Sequence, residues 1–91
     1  MLTITTLSIP PAAYQTHIAA LPRGFKVLGV CQKYGLPHVA YLGDPAEIAD
    51  SVEFILLPEQ AMLSAATLNA SYVGCIEPFP GQVLFLFYRV V

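Results

Sequence analysis

Residues 83–91 read VLFLFYRVV, nine positions with a single charged side chain, Arg89. Both alternate sets are apolar, Val83, Phe85 and Phe87 on one side and Leu84, Leu86 and Tyr88 on the other. A strand that is apolar on both faces is covered on both, so this one is expected inside a sheet, in a central place. Working back from it, 72–77 (YVGCIE) and 52–57 (VEFILL) carry the same β-branched and aromatic character. Segments 25–32 (FKVLGVCQ) and 37–43 (PHVAYLG) flank Lys33-Tyr34-Gly35-Leu36, whose glycine suits a short hairpin turn. Segment 2–9 (LTITTLSI) alternates Leu2, Ile4, Thr6 and Ser8 with Thr3, Thr5, Leu7 and Ile9, the pattern of a half-exposed edge strand. Eight prolines and six glycines punctuate these short runs. The expected class is all-β: a small sandwich or partly open barrel of six to seven short strands, with at most one or two short helical segments.

Three stretches leave alternatives open. Asp44-Pro45-Ala46-Glu47 has a capping acid, a proline at the first helical position and a glutamate three residues after the cap, so one helical turn is expected over 45–50. Residues 59–70 (EQAMLSAATLNA) are rich in Ala, Leu and Met and favour a helix of roughly ten residues, with a long loop as the competitor. In 11–21, Tyr14, Ile18 and Leu21 have helical spacing while Tyr14, Thr16, Ile18 and Ala20 alternate, and periodicity does not separate the two.

The chain has 91 residues, enough for one domain over 1–91. Four Lys+Arg against six Asp+Glu leave a formal charge of −2, which lacks the basic face that nucleic-acid binding uses. No apolar run reaches the roughly 20 residues of a spanning helix, and MLTITTLSIPP has no basic leader, so a cytoplasmic, membrane-free location is expected. Only 11% of residues are charged against 56% hydrophobic, and mean hydropathy is +0.65. Soluble domains average about 25% charged residues. Such a chain is expected to self-associate or to bind a protein partner. The charges also segregate: Arg23, Lys26 and Lys33 precede Asp44, Glu47, Asp50, Glu53 and Glu59, which suggests either solvated loops or complementary patches.

Catalytic groups are scarce. Cys31, His38, Cys75 and His17 lack the paired close spacings of a zinc site, and neither cysteine has a neighbouring cation to activate it, so both are expected as reduced, core-packed thiols. No phosphate loop or nucleophile elbow occurs, and neither an enzymatic activity nor a cofactor is expected. Arg23, Lys26, Lys33 and Tyr34 combine cations with a ring and adjoining glycines, a set able to hold a nucleotide. Along one strand, however, Arg23 and Lys33 stand roughly 30 Å apart at about 3.3 Å per residue, so such a site needs adjoining subunits. Phe54, Phe79, Phe85, Phe87 and Tyr88 are the residues expected to supply core and interface together, with truncation of Phe85 or Phe87 costing about 3–5 kcal/mol. The edge at 2–9 is positioned to recruit a neighbour by strand addition.

A specific order of short motifs runs through the whole chain. It includes His17-Ile18, Leu21-Pro22-Arg23-Gly24 before Phe25-Lys26-Val27-Leu28-Gly29-Val30, Gln32-Lys33-Tyr34-Gly35-Leu36-Pro37, Gly43-Asp44-Pro45, Val52-Glu53-Phe54, Tyr72-Val73-Gly74 and Val83-Leu84-Phe85. In this the chain resembles a family of roughly ninety-residue phage and prophage proteins that carry no assigned function. It departs where that family has a Trp near Val39-Ala40-Tyr41, a Thr-Gly-His near Pro58-Glu59-Gln60 and a His near Phe85-Leu86-Phe87, so no role of those residues transfers. The resemblance implies a mobile-element protein that works in the host cytoplasm by binding. The expectation is an oligomeric, non-catalytic module that obstructs a host protein complex such as a defence system. A nucleotide-sequestering oligomer built on Arg23, Lys26, Lys33 and Tyr34 and a virion or assembly component are the alternatives.

Overall fold

A computed structural model describes residues 1–65 and 69–91. Among these residues the fold is all-β, with seven strands in two antiparallel sheets: β1 (Thr3–Ser8), β2 (Thr16–Pro22), β3 (Lys26–Lys33), β4 (Leu36–Gly43), β5 (Ala49–Pro58), β6 (Ser71–Phe79) and β7 (Gln82–Val90). The three-stranded sheet has the order β1-β4-β3 and the four-stranded sheet β2-β5-β7-β6. The sheets close on one core made by alternate residues of their facing sides: Val39 from β4, Leu21 from β2, Val52, Phe54 and Leu56 from β5, Ile76 from β6, and Leu84 and Leu86 from β7. Ile9, which follows β1, completes it. At one side β3 lies along β6, where Gln32 Nε2 donates to the Glu77 carbonyl at 3.4 Å. The result is a sandwich that is nearly joined on that side and is not a closed barrel.

Local chemistry explains the turns. Tyr34 and Gly35 both have positive φ, 54° and 76°, the left-handed pair that matches the twist of a two-residue hairpin between β3 and β4. Pro80-Gly81 links β6 to β7, with Gly81 at φ 81° supplying the left-handed position that a side chain resists. Gly43 has a different reason: a Cβ there would stand 2.5 Å from Pro22 Cγ, where the end of β4 meets the end of β2. One extra residue, Leu28, bulges β3 between Val27 and Gly29, and β6 carries two irregularities.

Several expectations change. Segment 11–21 resolves as strand from Thr16, with His17, Ala19 and Leu21 inward and the alternation of Thr16, Ile18 and Ala20 facing out. The 45–50 turn stays a turn: Asp44 Oδ1 accepts from the Ala46 amide at 3.0 Å, as in a cap, but β5 starts at Ala49 and leaves no length for a helix. Over the described part of 59–70 the expected helix is absent apart from a helical position at Ala65, because Gln60 adopts φ 63° and breaks the first turn. Residues 66–68 of that stretch lie outside the described residues. β7 does lie inside its sheet, between β5 and β6, as its apolar faces require.

Candidate functional site

The feature that stands out is the outer side of the four-stranded sheet. Residues that alternate with the core set face away from it, and the register arranges them in rows. Glu53 pairs with Arg89, Ile55 with Phe87 and Leu57 with Phe85, while across β7 Phe87 pairs with Tyr72 and Phe85 with Cys75. The Tyr72 ring lies 5.4 Å from Phe87 and 6.4 Å from Phe85, centroid to centroid, within the range of favourable aromatic pairs. Phe85 and Phe87 are half-buried and Tyr72 is 55% exposed. Aromatic rings on the outside of a sheet give large contact area with few rotatable bonds.

The surround is graded. On one side Arg89 reaches Glu53 at 3.4 Å, an exposed ion pair that contributes at most about 1 kcal/mol to stability and marks a polar rim. On the other the chain after Pro58 returns beside the sheet, so that Gln60, Ala61 and Leu63 face Leu57, Phe85 and Phe87 across a groove of about 330 Å³. Leu57 is only 4% exposed although it faces outward. A second hollow of about 180 Å³ opens among Thr16, Ile55, Phe87 and Arg89. Partial desolvation, with the adjacent Cys75 thiol, raises the pKa of the Tyr72 hydroxyl. An aromatic centre thus lies between an apolar groove and a charged rim.

The residues expected at an interface divide. Phe54 is fully enclosed in the core and offers nothing to a partner, because β5 turns its even positions inward. Tyr88 also points to the inner side, where its ring meets Phe25 at 5.9 Å and Phe54 at 6.1 Å. Phe79 is exposed at the tip of the β6–β7 hairpin, away from the aromatic row. Phe85 and Phe87 remain, joined by Tyr72, which sequence reasoning missed; its signal was the β-period that pairs 72–77 with 83–91.

The basic set does not converge within the chain. Arg23, at the β2–β3 turn, donates to Asp50 at 3.1 Å, and that hydrogen bond, ahead of the charge of Asp50, raises its pKa further. Lys26 starts β3, whereas Lys33 ends it, its Nζ 5.6 Å from the ring of Tyr34 at the hairpin tip. Cys31 and Cys75 lie in strands as expected but are exposed rather than core-packed, since each occupies an outward register position. Cys31 stands opposite His38, whose Nδ1 lies 3.0 Å from the Leu36 carbonyl. Among the described residues no three His, Cys, Asp or Glu side chains gather as a metal site, and no helix is long and apolar enough to cross a membrane. No family model, curated protein or solved structure matches the chain.

Proposed function

We propose that the chain is a non-catalytic protein-binding module of phage or prophage origin, working as a small oligomer in the host cytoplasm and obstructing a host protein complex, such as one used in defence, with the outer side of its four-stranded sheet. One observation carries the choice of surface: the Tyr72 ring packs at a tilt against both Phe85 and Phe87 on the outside of a sheet, beside an apolar groove. A core does not need these rings there, because the inner side is already filled by Phe54, Leu84 and Leu86. Contact residues of this kind carry most of the energy in protein interfaces. The phage origin and the host complex rest on the resemblance in sequence order, and the oligomeric state on the low charge.

The test is affinity capture from bacterial lysate with the intact chain and with Phe87→Glu, each checked for an unchanged circular dichroism spectrum. The intact chain retains a host protein in stoichiometric amount and Phe87→Glu does not. Retention of nothing by either, or equal retention by both, removes the reading.

A further inference from the structure

The two sheets have four edges, and they are not alike. The edges at β3 and β6 face each other, and both strands are bulged. At β2, the Arg23 amide donates to the Ile48 carbonyl at 2.8 Å and continues the register that pairs Pro22 with Ala49. Bonded pairs recur at every second residue, so Ile18, Ala20 and Pro22 turn their backbone to the free side, and Pro22 has no N–H to offer. β1 has no such defect. The Ile9 amide donates to the Pro37 carbonyl at 2.9 Å and continues the register that pairs Ser8 with His38. Leu7, Thr5 and Thr3 therefore exchange bonds with β4, while Ile4, Thr6 and Ser8 direct theirs outward. Among the described residues no backbone bond meets them. From Leu2 to Ile9 there is no charge, proline or bulge, the devices by which free edges are normally protected.

We propose that β1 is a self-pairing edge: the β1 of a second copy adds antiparallel about a two-fold axis at Thr6, making one continuous six-stranded sheet. This rests on the oligomeric part of the reading above and supplies its partner and register. The strand is complementary to itself. Pairing about Thr6 sets Ile4 against Ser8 of the other copy and Thr6 against Thr6, with about six backbone bonds. It sets Thr5 against Leu7 on the opposite face. Thr–Thr and β-branched–aliphatic neighbours favour a sheet, and no like charges oppose. The length also matches: Pro10, without an N–H, ends the ladder in each copy where Leu2 of the other begins. Ile4 is 70% exposed in the single chain and gains cover from the added strand. A single strand pair covers less than the roughly 800 Å² per partner of a permanent dimer, so this one dissociates on dilution.

Sedimentation of the intact chain over a concentration series to about 500 µM reads the weight directly, since that range brackets micromolar dissociation constants. The mass rises from 9.8 kDa towards twice that value. Thr6→Pro removes one outward N–H without touching the bonds to β4, and it stays at the single-chain mass with an unchanged spectrum. Thr6→Lys and Thr6→Glu are each single chains alone and pair when mixed, which decides the matter even if the proline variant fails to fold. Phe87→Glu leaves the dimer intact. An intact chain that stays at 9.8 kDa throughout overturns self-pairing and the oligomeric reading together, whereas an oligomer indifferent to every Thr6 change overturns only the edge assignment. Loss of host-protein capture in Phe87→Glu, with dimerisation retained, leaves both proposals standing.

Discussion

The inner and outer faces of the four-stranded sheet are built from the same strands and nearly the same residue types, yet they do different things. Along β7, Leu84 and Leu86 are fully buried while Phe85 and Phe87, one position on, stay half-exposed. The smaller side chains interlock with Val52, Phe54 and Leu56 between the sheets, where close packing sets the volume available. The larger rings sit outside, in contact with Tyr72 and the returning chain after Pro58. Hydrophobicity therefore divides into a part that holds the fold and a part that stays half-exposed, which the proposed function assigns to a partner.

The sharpest way to break that division is to truncate each face in turn and follow denaturant unfolding. Phe54→Ala or Leu84→Ala on the inside costs about 3–5 kcal/mol, because each leaves a cavity between two sheets. Gly43→Ala comes next at about 1–3 kcal/mol, since the new methyl meets the rigid Pro22 ring. Phe85→Ala on the outside costs only about 1–1.5 kcal/mol, roughly half the value of full burial. That is well below the loss expected if both faces of 83–91 were core. Equal costs for Phe85→Ala and Leu84→Ala would erase the distinction between the faces.

The smallest effect tests a site away from both faces. The carboxylate of Asp44 accepts from the Ala46 amide and lies 3.2 Å from the amino group of Met1, and these contacts, the amide first, hold its pKa below the usual carboxylate value. A depressed folded pKa adds stability above the unfolded value near 3.9 and loses it as pH falls through the folded one. Asp44→Ala is thus slightly less stable than the intact chain at neutral pH, and the difference disappears in strong acid. A difference that persists at pH 2 contradicts the carboxylate as its source.

Six of the seven strand positions were legible in the sequence because β-branched and aromatic runs between Pro and Gly have few other solutions, and the Tyr34-Gly35 turn because glycine marks the left-handed position; β2 was not, because Tyr14, Ile18 and Leu21 fit a helical spacing as well as an alternation. Which face of 83–91 turns inward was not legible, since both alternate sets are apolar and only the partners β5 and β6 decide. The same holds for Cys31 and Cys75: a one-residue bulge ahead of each, at Leu28 and Val73, sets the side on which it emerges. The helix signal at Asp44-Pro45 gives only a turn because β5 begins too soon after it, and the one at Glu59-Gln60 does not start a helix there because Gln60 is left-handed; the choice between helix and loop over the rest of 59–70 was open in the sequence. At the site, Phe85 and Phe87 were legible as aromatic residues, but their contact with Tyr72 depends on a register that composition does not contain.

The most direct test is the affinity of the captured host protein for the intact chain and for Phe87→Glu, measured by calorimetry with the melting of both followed alongside. The outer-face account predicts a loss of at least about 30-fold, or roughly 2 kcal/mol, as for a residue at the centre of an interface, with a loss of stability no larger than that of Phe85→Ala. The same affinity for both proteins contradicts it.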